Sequence, residues 1–218
     1  MADQGRMMSA VLNTPRFADA EAFLAWEELQ PERHEYVSGE LYAMTGVRVA
    51  HNDINFNAVG FLRQVLKGTP CKVFGIDLKL QVSPNGDHLY PDLMVTCDPR
   101  DLRSSEDRYI SHPWLVAEVL SDSTAAYDRG RKFEIYRSID TLTHYLLIEQ
   151  TRPYAELFFK NERGQWVLQP LHADDLIAIE RLNQPWPVAS LFEDVDFTTP
   201  AALAAAAPAP APTPAPTP

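Results

Sequence analysis

The sequence predicts an α/β fold in which helices flank a mixed β-sheet, with additional β-hairpins. The step strand–helix–strand between Trp114 and Ile148 requires a crossover, which implies one parallel pair of strands. Short runs of alternating polarity around turn residues, at 34–44 and 155–171, indicate antiparallel hairpins. A one-sided apolar pattern at 49–66 indicates a helix packed on the sheet.

The N-terminal part of the chain is predicted to form a helix, a hairpin and a second helix. Residues 17–29 mix Ala, Glu, Phe, Leu and Trp, a composition that favours a helix. The pair Ser38-Gly39 is predicted to turn the chain between strands at 34–37 and 40–44. The second helix is predicted to end before Gly68. Its apolar stripe consists of Ile54, Ala58, Phe61, Leu62, Val65 and Leu66.

The central strands come next along the chain. Residues 73–82 alternate in polarity and are predicted to form one strand, whose polar face would pair Asp77 with Lys79 rather than bring Asp77 to a site. Residues 89–97 are predicted to form a second strand, and 114–120 a third that is covered on both faces. The remaining predictions are a helix at 125–138, a strand at 144–148 and hairpin strands at 155–160 and 165–171.

The two ends of the chain are predicted to lie outside a single folded domain at 17–197. Residues 1–16 are predicted to be a flexible N-terminus. Residues 198–218 are rich in Ala, Pro and Thr, and six of the last eleven residues are proline, which forbids a helix. We expect this tail to be disordered, a reading favoured over a role in localisation or partner docking.

Composition excludes several classes of protein. The 218 residues carry 19 Lys and Arg against 30 Asp and Glu, a net charge of −11, which argues against coating nucleic acid by charge alone. No apolar stretch approaches the ~20 residues of a membrane helix, and no signal peptide is evident, so a cytoplasmic protein without membrane partners is expected. Cys71 and Cys97 are predicted to be reduced thiols. A local basic path is still available from Arg100, Arg103, Arg108, Arg129, Arg131 and Arg137.

Two carboxylates stand in apolar strands. Asp92 follows Pro91 and precedes an apolar run, and Glu118 is the only charged residue in 114–120. An ionised carboxylate in such a position needs a partner, a cation or an exposed sheet edge. Neighbouring strands can bring both side chains to one face, where their oxygens suit Mg²⁺. Such an ion can activate water for attack on a phosphodiester.

A third candidate lies on the following helix. Lys132 and Tyr136 are spaced i and i+4 and therefore share a face. A lysine near a metal site can orient water or neutralise negative charge that develops on phosphate. Taken without further context, the residues favour a different reading, in which Lys132 is a surface lysine paired with Asp128 or Glu134.

An ordered set of motifs runs along the chain. The motifs are Val37-x-Gly39-Glu40-Leu41, His51 opening a helix, Tyr90-Pro91-Asp92-Leu93-Met94-Val95, Val116-Ala117-Glu118-Val119-Leu120-Ser121-x-Ser123-Thr124, Tyr127-Asp128-x-Gly130-x-Lys132-x-x-x-Tyr136 and Tyr145-Leu146-Leu147-Ile148. Together they resemble the Uma-two family, which is placed among restriction-endonuclease-like proteins of the PD-(D/E)XK class, and the resemblance covers residues 17–197.

This resemblance implies a restriction-endonuclease-like core and an Mg²⁺- or Mn²⁺-dependent endonuclease that hydrolyses phosphodiester bonds in DNA. Asp92 and Glu118 would bind the metal, and Lys132 would be the catalytic lysine. The class expects its lysine two residues after Glu118, where this chain has Leu120; within the family the lysine comes from the next helix, at the position of Lys132. Enzymes of the class often form homodimers that cut both strands, but no interface signature is evident here.

Three further residues are weaker candidates for the site. His51 lies near the start of its helix, where it could reach the site or be a hydrogen-bonded boundary residue. Glu40, or Glu35 in its place, could supply the acidic residue that class members carry before the first core strand; a solvated strand carboxylate is the equal alternative. Tyr136 could position a phosphate, although a core tyrosine is favoured.

Two other functions stay open at this point. A catalytically inactive nuclease-like scaffold or interaction protein is favoured by Leu120, the acidic balance and the Pro/Ala tail. A glycoside hydrolase with Asp92 and Glu118 as its paired carboxylates is the least favoured, because aromatic residues do not cluster near the pair.

Overall fold

The structure, a computed structural model, describes residues 15–44, 46–75, 77–82 and 86–197. The predicted flexible segment 1–16 falls outside these residues except for 15 and 16, and the tail 198–218 falls wholly outside them. The described residues form a five-stranded sheet, a six-stranded sheet and a two-stranded sheet, with helices packed on them.

The first predicted helix and hairpin are confirmed. Helix α1 spans Ala20–Glu27, and the Asp19 carboxylate caps it by accepting a hydrogen bond of 2.9 Å from the Ala22 N–H. Strands β1 (His34–Val37) and β2 (Glu40–Ala43) pair antiparallel. Ser38 and Gly39 both have positive φ, 53° and 85°, as a tight hairpin turn requires.

The five-stranded sheet, called sheet A, carries helix α1. Its order is β2-β1-β5-β4-β7. The strands not yet given are β4 (Lys79–Gln81), β5 (His88–Leu89) and β7 (Tyr109–Ile110). Phe23 and Leu24 of α1 pack with Leu41 of β2 in a small core cluster.

The six-stranded sheet, called sheet B, is mixed, as the sequence predicted. Its order is β11-β10-β9-β8-β6-β3, with a parallel pair β8–β9 and antiparallel pairs elsewhere. Its strands are β3 (Lys72–Gly75), β6 (Leu93–Thr96), β8 (Leu115–Leu120), β9 (His144–Glu149), β10 (Tyr154–Lys160) and β11 (Trp166–His172). The two-stranded sheet consists of β12 (Leu176–Ile177) and β13 (Trp186–Pro187).

Helices cover the two faces of sheet B. Helix α2 (Val49–Val65) buries its predicted apolar stripe, including Ile54, against one face. The predicted helix at 125–138 is instead three short pieces, which are α3 (Ala125–Tyr127), a π-helical turn (Asp128–Lys132) and α4 (Phe133–Tyr136). The π turn contains Gly130, a poor helix former. Two 3₁₀ helices are Pro99–Asp101 and Val188–Phe192.

Two predicted single strands are wrong in the same way. The predicted strand 73–82 divides into β3 and β4, and the predicted strand 89–97 divides into β5 and β6, with each half in a different sheet. Asp77 has a φ of 74°, which no continuous strand allows, and Pro91 has no N–H for a ladder. The chain therefore passes from one sheet to the other at each of these two breaks, and Asp92 lies directly after the break at Pro91.

The cysteines correct another prediction. Cys71 and Cys97 form a disulfide rather than staying as reduced thiols. They extend the register in which Lys72 faces Thr96, so the β3–β6 pairing places them directly opposite each other. Their separation of 26 positions along the chain gives no hint of this register in the sequence. The expected cytoplasmic location stays a prediction.

No helix in the described ranges is long and apolar enough to cross a membrane.

Candidate active site

A cavity of about 540 Å³ lies where the crossing at Asp92 meets sheet B. Residues from both sheets and from both covering helical segments line it. Four carboxylates line it: those of Glu35, Glu118 and Asp128 are buried, and that of Asp92 is partly buried. Because of these carboxylates the interior of the cavity is strongly acidic. At its mouth Arg48 and Asp122 form an exposed ion pair of 3.5 Å.

Asp92 is held at the edge of this cavity by two groups. Its Oδ2 accepts a hydrogen bond of 2.7 Å from the main-chain N–H of Val119, the residue after Glu118. Its Oδ1 lies 3.0 Å from Nε2 of His51, which comes from the first turn of α2. Since Leu93 faces Ala117 across the antiparallel pair, Asp92 and Glu118 lie side by side at the end of that ladder.

Glu118 lies at the centre of the site and is 3% exposed. Its Oε1 accepts hydrogen bonds from Lys132 Nζ at 3.0 Å and from the Tyr136 hydroxyl at 2.8 Å. Its Oε2 accepts a longer hydrogen bond, 3.4 Å, from the main-chain N–H of Asp92. Glu118 thus connects Asp92, which directly precedes β6, with the helical segment that bears Lys132.

Lys132 is a buried lysine, which corrects the reading of it as a surface residue. Its Nζ lies 3.0 Å from Glu118, 3.1 Å from Glu35 and 3.6 Å from Asp128, each measured to a carboxylate oxygen. Glu134, the other partner considered, pairs instead with Arg131. The π turn places both Asp128 and Lys132 in the interior, and such turns are frequent at functional sites.

Electrostatics in the cluster favour a cation. Burial lowers the pKa of Lys132, but the carboxylates of Glu118 and Glu35 outweigh this and raise it well above its ordinary value, so the ammonium keeps its proton. Burial raises the pKa of Glu118 and that of Asp128, and the neighbouring acids raise both further, although Lys132 opposes the rise. Three carboxylates share one lysine here and Asp92 lies beside them, so further positive charge would stabilise the ionised forms of these acids.

Asp92 and Glu118 fit an Mg²⁺ or Mn²⁺ ion by their chemistry. Both supply the hard oxygen ligands that Mg²⁺ prefers, and one or two carboxylates suffice because the ion keeps several waters. Among the residues that the structure describes, no group of three His, Cys, Asp or Glu side chains is arranged to hold a metal. The surplus of buried carboxylates over ammonium groups is the feature that suits a divalent cation.

The other predicted residues divide into two groups. His51 and Tyr136 reach the site through their hydrogen bonds to Asp92 and Glu118, and Tyr136 is at the same time a fully buried core residue. Glu40 is exposed and accepts a hydrogen bond from the Tyr42 hydroxyl at 2.7 Å, so the acid that reaches the cluster from the first hairpin is Glu35. Asp77 pairs with Arg33 at 3.3 Å rather than with Lys79.

Sequence reasoning missed some of the groups in the cavity. It treats Asp128 only as the partner of a surface lysine, and it does not single out Gln150, which directly follows β9. The spacing of Asp128 four residues before Lys132 was an available signal. Gln150 lies just beyond the apolar run of its strand, where a polar residue usually indicates a loop. No signal in the sequence therefore marked it as a residue of the cavity.

The predicted basic path is largely neutralised. Four of its arginines pair with carboxylates within 3.0 Å. These pairs are Arg100 with Asp98, Arg108 with Glu21 and Glu28, Arg129 with Glu149 and Glu156, and Arg131 with Glu134. Phosphate would therefore have to compete with acidic side chains along this route.

Comparison with known proteins identifies relatives of unassigned role and a solved structure of similar fold. Two uncharacterized Synechocystis proteins match: slr1290 is 37% identical over 81% of this chain and 92% of its own length, and sll1609 is 31% identical over 76% and 93%. The crystal structure of a "putative nuclease belonging to DUF820" from Anabaena variabilis superposes with a TM-score of 0.65 at 16% identity, covering 81% of this chain and 98% of that one. This confirms the predicted fold class.

A family model supplies the assignment. The model of the Uma2 family, described as "Putative restriction endonuclease", matches residues 20–188. That range contains every residue of the cavity named above. The chain therefore belongs to the Uma2 family, the Uma-two family that its motifs resemble.

Proposed function

We propose that this protein is a metal-dependent endonuclease that hydrolyses phosphodiester bonds in DNA. The observation that carries the proposal is the position of Glu118, which lies beside Asp92 and within 3.0 Å of Lys132 Nζ in one cavity. The description of the family and that of the solved Anabaena protein, a "putative nuclease", support the same class of activity.

In this proposal Asp92 and Glu118 hold one Mg²⁺ or Mn²⁺ ion. When bound, the cation supplies Lewis acidity at a phosphoryl oxygen and favours the ionisation of water. His51 fixes the orientation of the Asp92 carboxylate through its 3.0 Å contact, and the Val119 N–H does the same from the other side. Both contacts hold the Asp92 carboxylate between His51 and the main chain of β8 before any ion arrives.

Lys132 keeps its proton among three carboxylates, so it acts as a cation and hydrogen-bond donor rather than as a base. An ammonium group in this position stabilises negative charge that develops on the phosphate. Tyr136 donates to the same Glu118 oxygen as Lys132, which holds Glu118 Oε1 in place and leaves Oε2 with only its long contact to the Asp92 N–H. DNA as the substrate, a homodimer as the cutting form and a cytoplasmic location belong to this proposal.

Cleavage of a supercoiled plasmid in the presence of Mn²⁺ or Mg²⁺ tests the proposal. We expect the purified protein to nick or linearise the plasmid, and EDTA to stop it. Asp92→Asn and Glu118→Gln should each lower the rate by at least about 100-fold. Asp174→Asn, a change of the same chemistry at an exposed position, is the matched control and should leave the rate unchanged. Equal cleavage by all four proteins would identify a contaminating nuclease and contradict the proposal.

A non-catalytic DNA-binding or interaction protein is the second candidate. The observation in its favour is that both oxygens of Asp92 and both oxygens of Glu118 already have donors from the protein. In that case wild-type protein and Glu118→Gln would bind DNA equally well, and neither would cleave it with any divalent cation. Loss of Mn²⁺ binding in Glu118→Gln would argue against this candidate.

A further inference from the structure

The mouth of the cavity differs in chemistry from its acidic interior. Two segments meet there, 46–48 just before α2 and 121–124 just after β8, and both line the cavity. Most of their residues are exposed, and the ion pair of 3.5 Å between Arg48 and Asp122 joins them. Among the described residues that line the cavity, the only arginine or lysine besides Arg48 is the buried Lys132. Arg48 is therefore the cation that an approaching molecule meets first.

The pairing of Arg48 leaves its guanidinium open to another anion. The side chain of Arg48 is 71% exposed and that of Asp122 is 74% exposed, and water weakens an ion pair in such a position. Four arginines of the predicted basic path, in contrast, lie within 3.0 Å of their carboxylate partners. A phosphate group can therefore displace Asp122 from Arg48 more readily than it can displace the partners of those arginines.

Hydroxyl groups lie beside Arg48's partner at the mouth. Ser121 Oγ is 3.0 Å from Ser123 Oγ and 2.9 Å from Thr124 Oγ1, and it accepts a hydrogen bond of 3.2 Å from the Thr124 main-chain N–H. Ser123 is exposed, and because a hydroxyl proton can rotate, its O–H can turn to an acceptor at the mouth. Phosphate oxygens are such acceptors, and arginine and serine side chains are common contacts of the DNA backbone.

The same part of the chain exposes apolar side chains. Val47 and Val49, on either side of Arg48 in sequence, are 59% and 77% exposed, and Met44, which also lines the cavity, is exposed as well. Exposed apolar side chains that lie together mark interaction surfaces. A DNA strand presents charged phosphates next to apolar sugar and base surfaces, so it fits a surface on which an arginine lies between two valines.

The mouth lies at a suitable distance from the acidic cluster. Ser121 follows Glu118 by three residues at the end of β8, and a strand rises about 3.3 Å per residue, so the two are at most about 10 Å apart along the chain. Phosphates on one strand of DNA recur every ~3.4 Å along the helix axis. A strand with one phosphodiester at Asp92 and Glu118 therefore places another phosphate, within about three nucleotides, at the mouth.

We propose that Arg48 and the Ser123 hydroxyl bind one backbone phosphate of the DNA at the mouth of the cavity. This inference rests on the proposed function, since it places the contact next to a phosphodiester at the acidic cluster. Asp122 opposes the contact, because its carboxylate competes for Arg48. The contact is independent of the base sequence, and it lies outside the acidic interior, so it requires no metal ion.

The salt dependence of DNA binding tests the inference. Fluorescence anisotropy measures the affinity for short labelled duplexes of two unrelated sequences, in EDTA, between about 50 and 200 mM KCl. The slope of log affinity against log salt concentration changes by about 0.9 for each phosphate that the protein neutralises. Arg48→Gln should weaken binding to both duplexes about tenfold at the lower salt concentration and reduce the slope by about one. Arg163→Gln, at an exposed position outside the cavity, should change neither.

Two further variants test the other groups at the mouth. Ser123→Ala should weaken binding about two- to fivefold without changing the slope, because the hydroxyl carries no charge, and the exposed control Ser105→Ala should have no effect. Asp122→Asn should tighten binding about two- to fivefold, because it removes the competitor for Arg48. All of these positions are exposed, so the unfolding temperatures should stay at that of the wild type.

The outcomes separate this inference from the proposed function. The same slope in Arg48→Gln and the wild type, or no binding by the wild type at about 50 mM KCl, would overturn the inference even if plasmid cleavage succeeds. A lower slope in Arg48→Gln would support it even if cleavage is never observed. An unchanged slope together with an altered oligomeric state of Arg48→Gln in sedimentation would assign the mouth to a second copy of the chain, and would also overturn the inference.

Discussion

Lys132 and Glu118 form an ion pair of 3.0 Å in the interior of the protein, with exposed fractions of only 7% and 3%. Glu35 and Asp128 approach the same ammonium nitrogen. A buried charge of this kind is costly unless its partners are present, so the cluster depends on each of its members. The site is therefore part of the stable interior as well as the candidate centre of chemistry.

Removal of the lysine should destabilise the fold. We expect Lys132→Met to lower the free energy of unfolding by about 3–5 kcal/mol, because three carboxylates lose their counter-charge. Urea unfolding measures this, with the exposed lysine change Lys67→Met as the matched control. Combining Lys132→Met with Glu118→Gln should recover part of the loss. A loss below about 1 kcal/mol would show that the cluster is not coupled as described.

His51 is expected to act as a positioning residue for Asp92. Its Nε2 lies 3.0 Å from Asp92 Oδ1. Removal of a residue that hydrogen-bonds to a metal ligand typically weakens metal binding by about 10–100-fold. Calorimetric titration of His51→Ala with Mn²⁺ should show a weakening in that range, and His172→Ala, at an exposed histidine, should show none. Unchanged Mn²⁺ affinity in His51→Ala would mean that His51 does not position a metal ligand.

The disulfide is expected to stabilise the segment that carries Asp92. Cys71 and Cys97 are separated by 26 residues in sequence, and a loop of that length gives about 3–4 kcal/mol by the loop-entropy model. A reducing agent should lower the free energy of unfolding of the wild type by this amount. It should have no effect on a Cys71→Ser/Cys97→Ser protein. A titration that finds two free thiols in the native protein would contradict the structure.

Acid should destabilise the protein partly through His88. This side chain is fully buried, and burial lowers its pKa to about 4. Between pH 6.5 and pH 4 the unfolded chain binds a proton at this position and the folded protein does not, so stability falls as the pH falls through that window. The expected loss is about 2–3 kcal/mol.

Denaturant unfolding at several pH values checks this expectation. His88→Gln should flatten the dependence of the unfolding free energy between pH 6.5 and 4, and the exposed control His172→Gln should not. An unchanged slope in His88→Gln would mean that the buried imidazole accepts its proton without cost.

Local patterns in the sequence predicted those elements that depend on local chemistry. The apolar stripe of α2 and the Ser38-Gly39 turn are both present, as is the parallel pair implied by the crossover after Trp114. The division into two sheets was not predicted. The alternation of polar and apolar residues shows which side chains of a strand share a face, but it does not show which other strand pairs with it. The breaks at Asp77 and Pro91 depend on backbone conformation that alternation does not reveal.

The candidate site was predictable to the extent that charges stood out from their surroundings. Asp92 and Glu118 interrupt apolar strands, so their proximity could be expected, and the structure places them side by side. Glu35 and Asp128 lie in polar stretches of sequence, where burial leaves no trace. Gln150 acquires its place only when β9 pairs with β8, a long-range event that no local pattern encodes.

The proposed function depends above all on Asp92 and Glu118 holding one divalent cation between them, and a crystal soaked in Mn²⁺ shows directly whether they do. We predict an anomalous-scattering peak within about 2.0–2.6 Å of oxygens from both carboxylates, and no such peak in crystals of Glu118→Gln. An Mn²⁺ peak bound elsewhere, or a peak that persists unchanged in Glu118→Gln, would contradict the proposal.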